Sequence, residues 1–164
     1  MNYRVKWMGL MILLALVASQ AAAQILTADE LKKTVPASFV FAGQSAQVQT
    51  RNFAGLKNGA GKIMIAGLVD TTGYATSIVE KYQGFLITEA RIGIGGSSLE
   101  PGAYGFGTSK EGKFNVMNMA GTEALSVPTT ADEKLAHPVP LKLVKDGSAY
   151  RLYAGKKYVV VKTD

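Results

Sequence analysis

Residues Gly84 to Met119 read GFLITEARIGIGGSSLEPGAYGFGTSKEGKFNVMNM. The reading is strand, glycine-rich loop, strand, tight turn, strand. Ser109-Lys110-Glu111-Gly112-Lys113 has the form of a three-residue hairpin loop, with Gly112 where a positive φ is needed. Such a loop sets Thr108 opposite Phe114, Phe106 opposite Val116 and Tyr104 opposite Asn118. Tyr104, Phe106, Phe114 and Val116 then share one face, a favourable cross-strand cluster. A two-residue loop would slip the pairing and put Phe106 and Phe114 on opposite faces. On the other face, Gly105 and Gly107 leave space opposite Met117 and Asn115. Strand glycines usually mark close backbone approach, so a packed second layer is the expectation there, and a ligand is the alternative.

Working outward, Met1 to Ala23 has the grammar of a secretory leader. Arg4 and Lys6 form the charged start, Met8 to Val17 the apolar run, and Ala21-Ala22-Ala23 the small-residue cleavage site. The apolar run is too short for a stable membrane span. Cleavage is expected after Ala23, leaving 24–164 as a single exported β-domain, periplasmic or extracellular. Loss of Arg4 and Lys6 reduces the 18 basic residues to 16 against 12 acidic, a charge of +4. The lysines are dispersed, which argues against a nucleic-acid partner. There is no cysteine, so no disulfide holds the domain, and the one tryptophan, Trp7, lies in the leader.

Thr27-Ala28-Asp29-Glu30 is a capping box, and Ala28, Leu31 and Val35 share a helical face that Pro36 ends. Lys32 and Lys33 fall in the last turn, where they suit the helix dipole. Ser38 to Ala42 and Ala46 to Phe53 read as strands. The second is unusually polar, as Gln47, Gln49 and Arg51 alternate with Val48, Thr50 and Asn52. A solvated edge strand is one reading, and a polar binding groove with Arg51 as anion contact is the other. Leu56 to Gly61 reads as a loop and Lys62 to Asp70 as a central strand. Thr76 to Gln83 reads as a short helix capped by Ser77 and Glu80, with Gly84 after its end. Gly84 to Ile92 is a strand, and Gly93 to Gly102 a loop closed by Pro101-Gly102. Thr130-Ala131-Asp132-Glu133 repeats the earlier box and predicts a second capped turn. Asp146-Gly147 is a hairpin signal that sets Leu143 opposite Tyr150 and Leu141 opposite Leu152. Lys156 to Lys162 returns as the last strand.

Chemistry is sparse. The one histidine, His137, precedes Pro138 in a loop and reads as a surface residue. There is no Gly-x-Ser-x-Gly elbow, no P-loop ending and no EF-hand spacing, so no catalytic residue, metal or cofactor is expected. Glu89 and Glu100 are the carboxylates a small hydrolase would use, though no spacing demands it. Gly61-Lys62, Gly112-Lys113 and Gly155-Lys156 each open a strand, with the lysines read as gatekeepers. The candidate ligand-binding residues are Arg51, Tyr104 and Met117.

The run Gly95-Gly96-x-x-Leu99-x-Pro101-Gly102-x-Tyr104, followed by a short turn and Phe114-x-Val116-Met117, resembles an uncharacterised family of exported bacterial β-domains. Leu135-Ala136-His137-Pro138-Val139 is similar to that family's later Leu-Ala-x-Pro-Val. Arg51-Asn52 is the nearest counterpart of its earlier Arg-Asn segment. The resemblance covers the C-terminal half and implies an exported β-sandwich, with no catalytic residue carried over.

The expected fold is therefore a mainly antiparallel β-sandwich with two or three short helices, or alternatively a small β-barrel. The expected function is a non-catalytic domain that binds a protein partner or small ligand. A small carboxylate-dependent hydrolase and a structural envelope component are the alternatives.

Overall fold

A computed structural model of the chain describes residues 22–41 and 43–163. Most of the expected leader, residues 1–21, lies outside the described residues. The first part of the fold runs β1 (Gln24–Ile25), α1 (Ala28–Thr34), β2 (Ser38–Phe41), β3 (Gln44–Lys57), β4 (Ile63–Val69), α2 (Thr76–Val79) and β5 (Gly84–Thr88). A hairpin follows, β6 (Ile92–Ile94) and β7 (Ser97–Leu99), then β8 (Gly102–Thr108), β9 (Lys113–Asn118) and β10 (Glu123–Pro128). The chain ends with β11 (Thr130–Ala131), β12 (Val139–Asp146), β13 (Ala149–Gly155) and β14 (Lys157–Thr163). The larger sheet has the order β1-β3-β4-β5-β8-β9-β10, with β2 also on β3; the smaller is β12-β13-β14-β6-β7, with β11 on β14. The sheets are antiparallel and do not close into a barrel among the described residues, so the fold is mainly β and sandwich-like.

The period-two pattern of the strands explains the layers. Met64, Ala66, Leu86, Phe106, Phe114 and Val116 point inward and meet Ile94, Leu152, Val159 and Val161 of the smaller sheet. The alternate positions Ile65, Val69, Phe85 and Met117 point outward, yet they too are buried, under Leu31, Phe39, Phe41 and Tyr82. The larger sheet is therefore covered on both faces. That is why β4 reads as an unbroken apolar run instead of an alternation. Phe106 and Phe114 stack inside at 5.1 Å, while Phe41 stacks on Tyr82 outside at 4.2 Å.

The β8–β9 hairpin has the expected register, Phe106 opposite Val116 and Thr108 opposite Phe114, with Gly112 at φ 79°. The same loop occurs twice more. Asn58 and Asn118 stand where Ser109 does, and each side-chain oxygen accepts two backbone N–H groups, from Ala60 and Lys62 and from Ala120 and Thr122. Gly61 and Gly121 take the left-handed position at 79° and 83°. The strand before the first of these loops continues to Lys57, so the expected loop at Leu56 begins only at Asn58. Leu56 is core, which holds the strand.

Four further expectations change. The stretch 93–102 holds the β6–β7 hairpin, turned by Gly95 and Gly96 at φ 56° and 90°. The cap of α2 is Ala75 with no side-chain hydrogen bond, and Gly84 belongs to β5. A Cβ on Gly84 would lie 2.3 Å from the Gly67 carbonyl, so close packing demands that glycine. The second Thr-Ala-Asp-Glu forms no helix: Thr130 and Ala131 pair with β14, and Asp132 accepts from the Tyr153 hydroxyl at 2.7 Å. The β12–β13 loop is Gly147-Ser148, so Leu143 faces Leu152 and Lys145 faces Tyr150. That slip of two residues leaves the inward face unchanged.

Candidate functional site

The polar run in β3 is a bulge. Val48 lies opposite Val69 and Phe53 opposite Gly67, so Gln49 to Asn52 occupy the span of one β4 residue, Leu68. Bulges re-aim side chains and locally free a strand from its partner. This one is held by its own amides. Gln49 Nε2 donates to the Val69 carbonyl at 3.0 Å, and Asn52 Nδ2 donates to Gln49 Oε1 at 2.6 Å. The polar alternation that suggests an edge strand thus serves the bulge, and Arg51 projects from it.

β1 and β2 pair with the two ends of β3, and α1 bridges between them. The helix forms where expected: Glu30 N–H donates to Thr27 Oγ1 at 3.4 Å, and Thr27 N–H donates to Glu30 Oε2 at 2.8 Å. The Thr27 N–H and then the Thr27 hydroxyl, both donating to Oε2, hold the Glu30 carboxyl below its usual range. Leu31 seats the helix on Gly55, where a Cβ would come within 2.7 Å of Leu31 Cδ2. On the other side lies β12, irregular in register between Val139 and Lys142.

The two irregular strands and the helix leave a cleft of about 590 Å³. Its apolar surface comes from Leu26, Leu31, Phe53, Ala54, Leu141 and Leu143, and its polar side chains are Lys32, Thr50, Arg51 and Lys142. No carboxylate lines it. Arg51 and Lys142 are exposed and make no ion pair or side-chain hydrogen bond among the described residues. Lys32 makes one, to Asp29 at 3.5 Å, with both side chains largely exposed. A smaller hollow of about 160 Å³ shares Lys32, Thr50 and Phe53 with this cleft.

The other two candidate residues lie elsewhere. Tyr104 is half-buried at the inter-sheet core, and its hydroxyl donates to the Glu100 carbonyl at 2.9 Å. Burial, and secondarily the charge of Glu100, push its pKa up. Met117 is buried on the opposite face with Tyr82. The space over Gly105 and Gly107 is filled by protein, as a Cβ would lie 2.4 Å from the Tyr82 ring in one case and 2.4 Å from the Glu80 carbonyl oxygen in the other. Of the candidate set, Arg51 alone faces the cleft. Lys32, Lys142 and the apolar floor escaped the sequence reading, because only the fold brings α1, β3 and β12 together.

The two carboxylates considered for hydrolysis are each occupied by other partners. Glu89 accepts the Ile63 N–H at 3.0 Å, and Glu100 pairs with Arg91 at 2.9 Å. His137 is exposed. No family model, curated protein or solved structure matches this chain.

Proposed function

We propose that the chain is a non-catalytic exported β-domain that binds a small ligand in the cleft beside α1. The observation that carries this reading is Arg51, a cation with no ion pair or side-chain hydrogen bond among the described residues, set on a bulge at the rim of an apolar cleft. The volume lies within the roughly 300–1,000 Å³ typical of small-molecule sites, and a few polar groups on an apolar surface is their usual composition. The polar side chains of the cleft supply cations and one hydroxyl, with no carboxylate or imidazole to act as general base. Export rests on the leader grammar of Met1 to Ala23 and agrees with the family resemblance.

Native mass spectrometry of the exported protein tests the reading. A small molecule should be retained by the wild type and lost from Ala28→Trp, which places a large ring at the exposed helix start that borders the cleft. A wild-type mass equal to the bare chain under conditions that preserve weak complexes, or a ligand retained equally by Ala28→Trp, would count against the cleft.

A further inference from the structure

We propose that the ligand of this cleft is an amphipathic monoanion, an aliphatic carboxylate whose headgroup meets Arg51 and whose chain lies on Leu26, Leu31, Phe53 and Leu141. This rests on the reading of the cleft as a ligand site and adds the ligand's chemical class. Three cations from three separate elements converge on one rim: Lys32 of α1, Arg51 of β3 and Lys142 of β12. Like charges around a low-dielectric surface repel one another, and an anion reverses the sign of that interaction. Asp29 pairs with Lys32 at 3.5 Å, whereas Arg51 and Lys142 receive no counter-charge from the protein among the described residues.

The headgroup follows from what is available to hold it. The planar fork of Arg51 matches a carboxylate through two parallel hydrogen bonds. A phosphate would draw on clustered backbone N–H groups as well, and the capping box already uses two of those at the start of α1. The N–H groups of Thr27 and Glu30 are taken within the capping box. The rest of the lining is hydrocarbon, which favours an unbranched apolar chain over a sugar or a second charge.

Calorimetric titration with sodium octanoate, below its micelle concentration, tests this on the exported protein. The expected result is one saturating site, with affinity reduced at least tenfold in Arg51→Gln and unchanged in Lys162→Gln, a cation on the far β14 strand. Octanol, which keeps the chain and lacks the charge, should bind more weakly and be indifferent to Arg51→Gln. Acetate, which keeps the headgroup alone, should give no saturable heat in the range where octanoate saturates. Matching thermal melts of the two variants and the wild type would establish that the folds are intact. Equal binding of octanol and octanoate, or octanoate binding untouched by Arg51→Gln, overturns the headgroup assignment and leaves the cleft as an apolar site. Absence of octanoate binding, with a native ligand still displaced by Ala28→Trp, overturns the carboxylate class alone. Absence of both overturns the ligand site together with it.

Discussion

On the outer face of the larger sheet, Gly67, Gly105 and Gly107 are pressed by the rest of the chain. The Phe85 ring covers the first, Tyr82 the second and the backbone of Glu80 the third. On the outer face of the smaller sheet, Gly93 lies beneath a shallow hollow of about 480 Å³ bordered by Arg91, Ser97, Ser98, Val160 and Lys162. A Cβ there would meet nothing closer than Lys162 Cβ at 3.6 Å. Both sheets carry a glycine in mid-strand, and the residue type alone does not say which is a seat and which is bare. What differs is the chain around them. The larger sheet has α1, β2 and the α2 turn to lay across it. α2 has no side-chain cap and no buried residue within its own span. It is held from outside, by Asn115 Nδ2 donating to the Glu80 carbonyl at 3.3 Å and Thr108 N–H donating to Gln83 Oε1 at 3.1 Å. The glycines of β8 let this turn come down onto the sheet.

If the outer layer is a true second core, removing its aromatic anchor should cost as much as removing one from between the sheets. Phe41→Ala and Phe114→Ala are each expected to lose about 3–5 kcal/mol, since both rings are buried and stacked. Paired urea melts measure it, and a Phe41→Ala loss below a third of the Phe114→Ala loss would reduce the outer layer to a loose cover. Next in size is Gly107→Ala, expected to cost about 3 kcal/mol, because the new Cβ meets backbone that no rotamer change can move. Gly107→Ala should also loosen α2, seen as faster amide exchange at Tyr82 and Gln83.

The smaller sheet has a cover of a different kind, and pH should reveal it. Asp132, just past β11, accepts from the Tyr153 hydroxyl, and Arg151 lies over the Tyr158 ring at 4.6 Å. The Tyr153 hydroxyl, then the Lys134 N–H and the nearby Arg151, hold the Asp132 carboxyl below its ordinary value. A carboxyl whose folded pKa is depressed adds stability above its unfolded pKa and loses it as pH falls through the folded one. Unfolding midpoints should therefore fall below about pH 4, near the unfolded aspartate value. Asp132→Asn should flatten that fall. An unchanged acid limb in Asp132→Asn would mean the polar cover contributes nothing.

The layers were legible in the sequence where a side-chain period and a turn residue agreed. Gly112 defined the hairpin, the hairpin defined the register, and the register put Phe106 and Phe114 on one face. The Asp146-Gly147 signal lies one residue before the actual Gly147-Ser148 loop, which shifts the pairing by two, and parity still keeps Leu141 and Leu143 inward. Local grammar failed where tertiary partners competed. Thr-Ala-Asp-Glu at 27–30 precedes Leu31, which has a glycine seat to fill, and a helix forms. The same four residues at 130–133 meet β14 and Tyr153 instead: Thr130 and Ala131 pair as a strand, Asp132 bonds the Tyr153 hydroxyl, and no helix forms. Arg51 was visible as a charge in an unusually polar strand. The cleft around it was not, because its walls are 26, 53 and 141 in the chain and only the sheet edges bring them together.

The smallest effect falls on Gly93, and it carries the comparison's sharpest sign. Glycine in a strand costs roughly 0.5–1 kcal/mol relative to alanine through the entropy of the unfolded chain. Where the added methyl clashes, that gain is overwhelmed, as expected at Gly107. At Gly93 the methyl enters ordinary van der Waals contact with the Lys162 stem, and the residue has no left-handed φ to forbid it. Gly93→Ala should therefore be neutral or stabilise by up to about 0.5 kcal/mol. The same substitution at Gly107 destabilises by several times as much in the opposite direction. Thermal melts of the two variants side by side read the difference without any assumption about the ligand. A clear loss at Gly93 would mean that something packs on this face in the working protein, and the outer face of the smaller sheet would then join the α1 cleft as a contact surface.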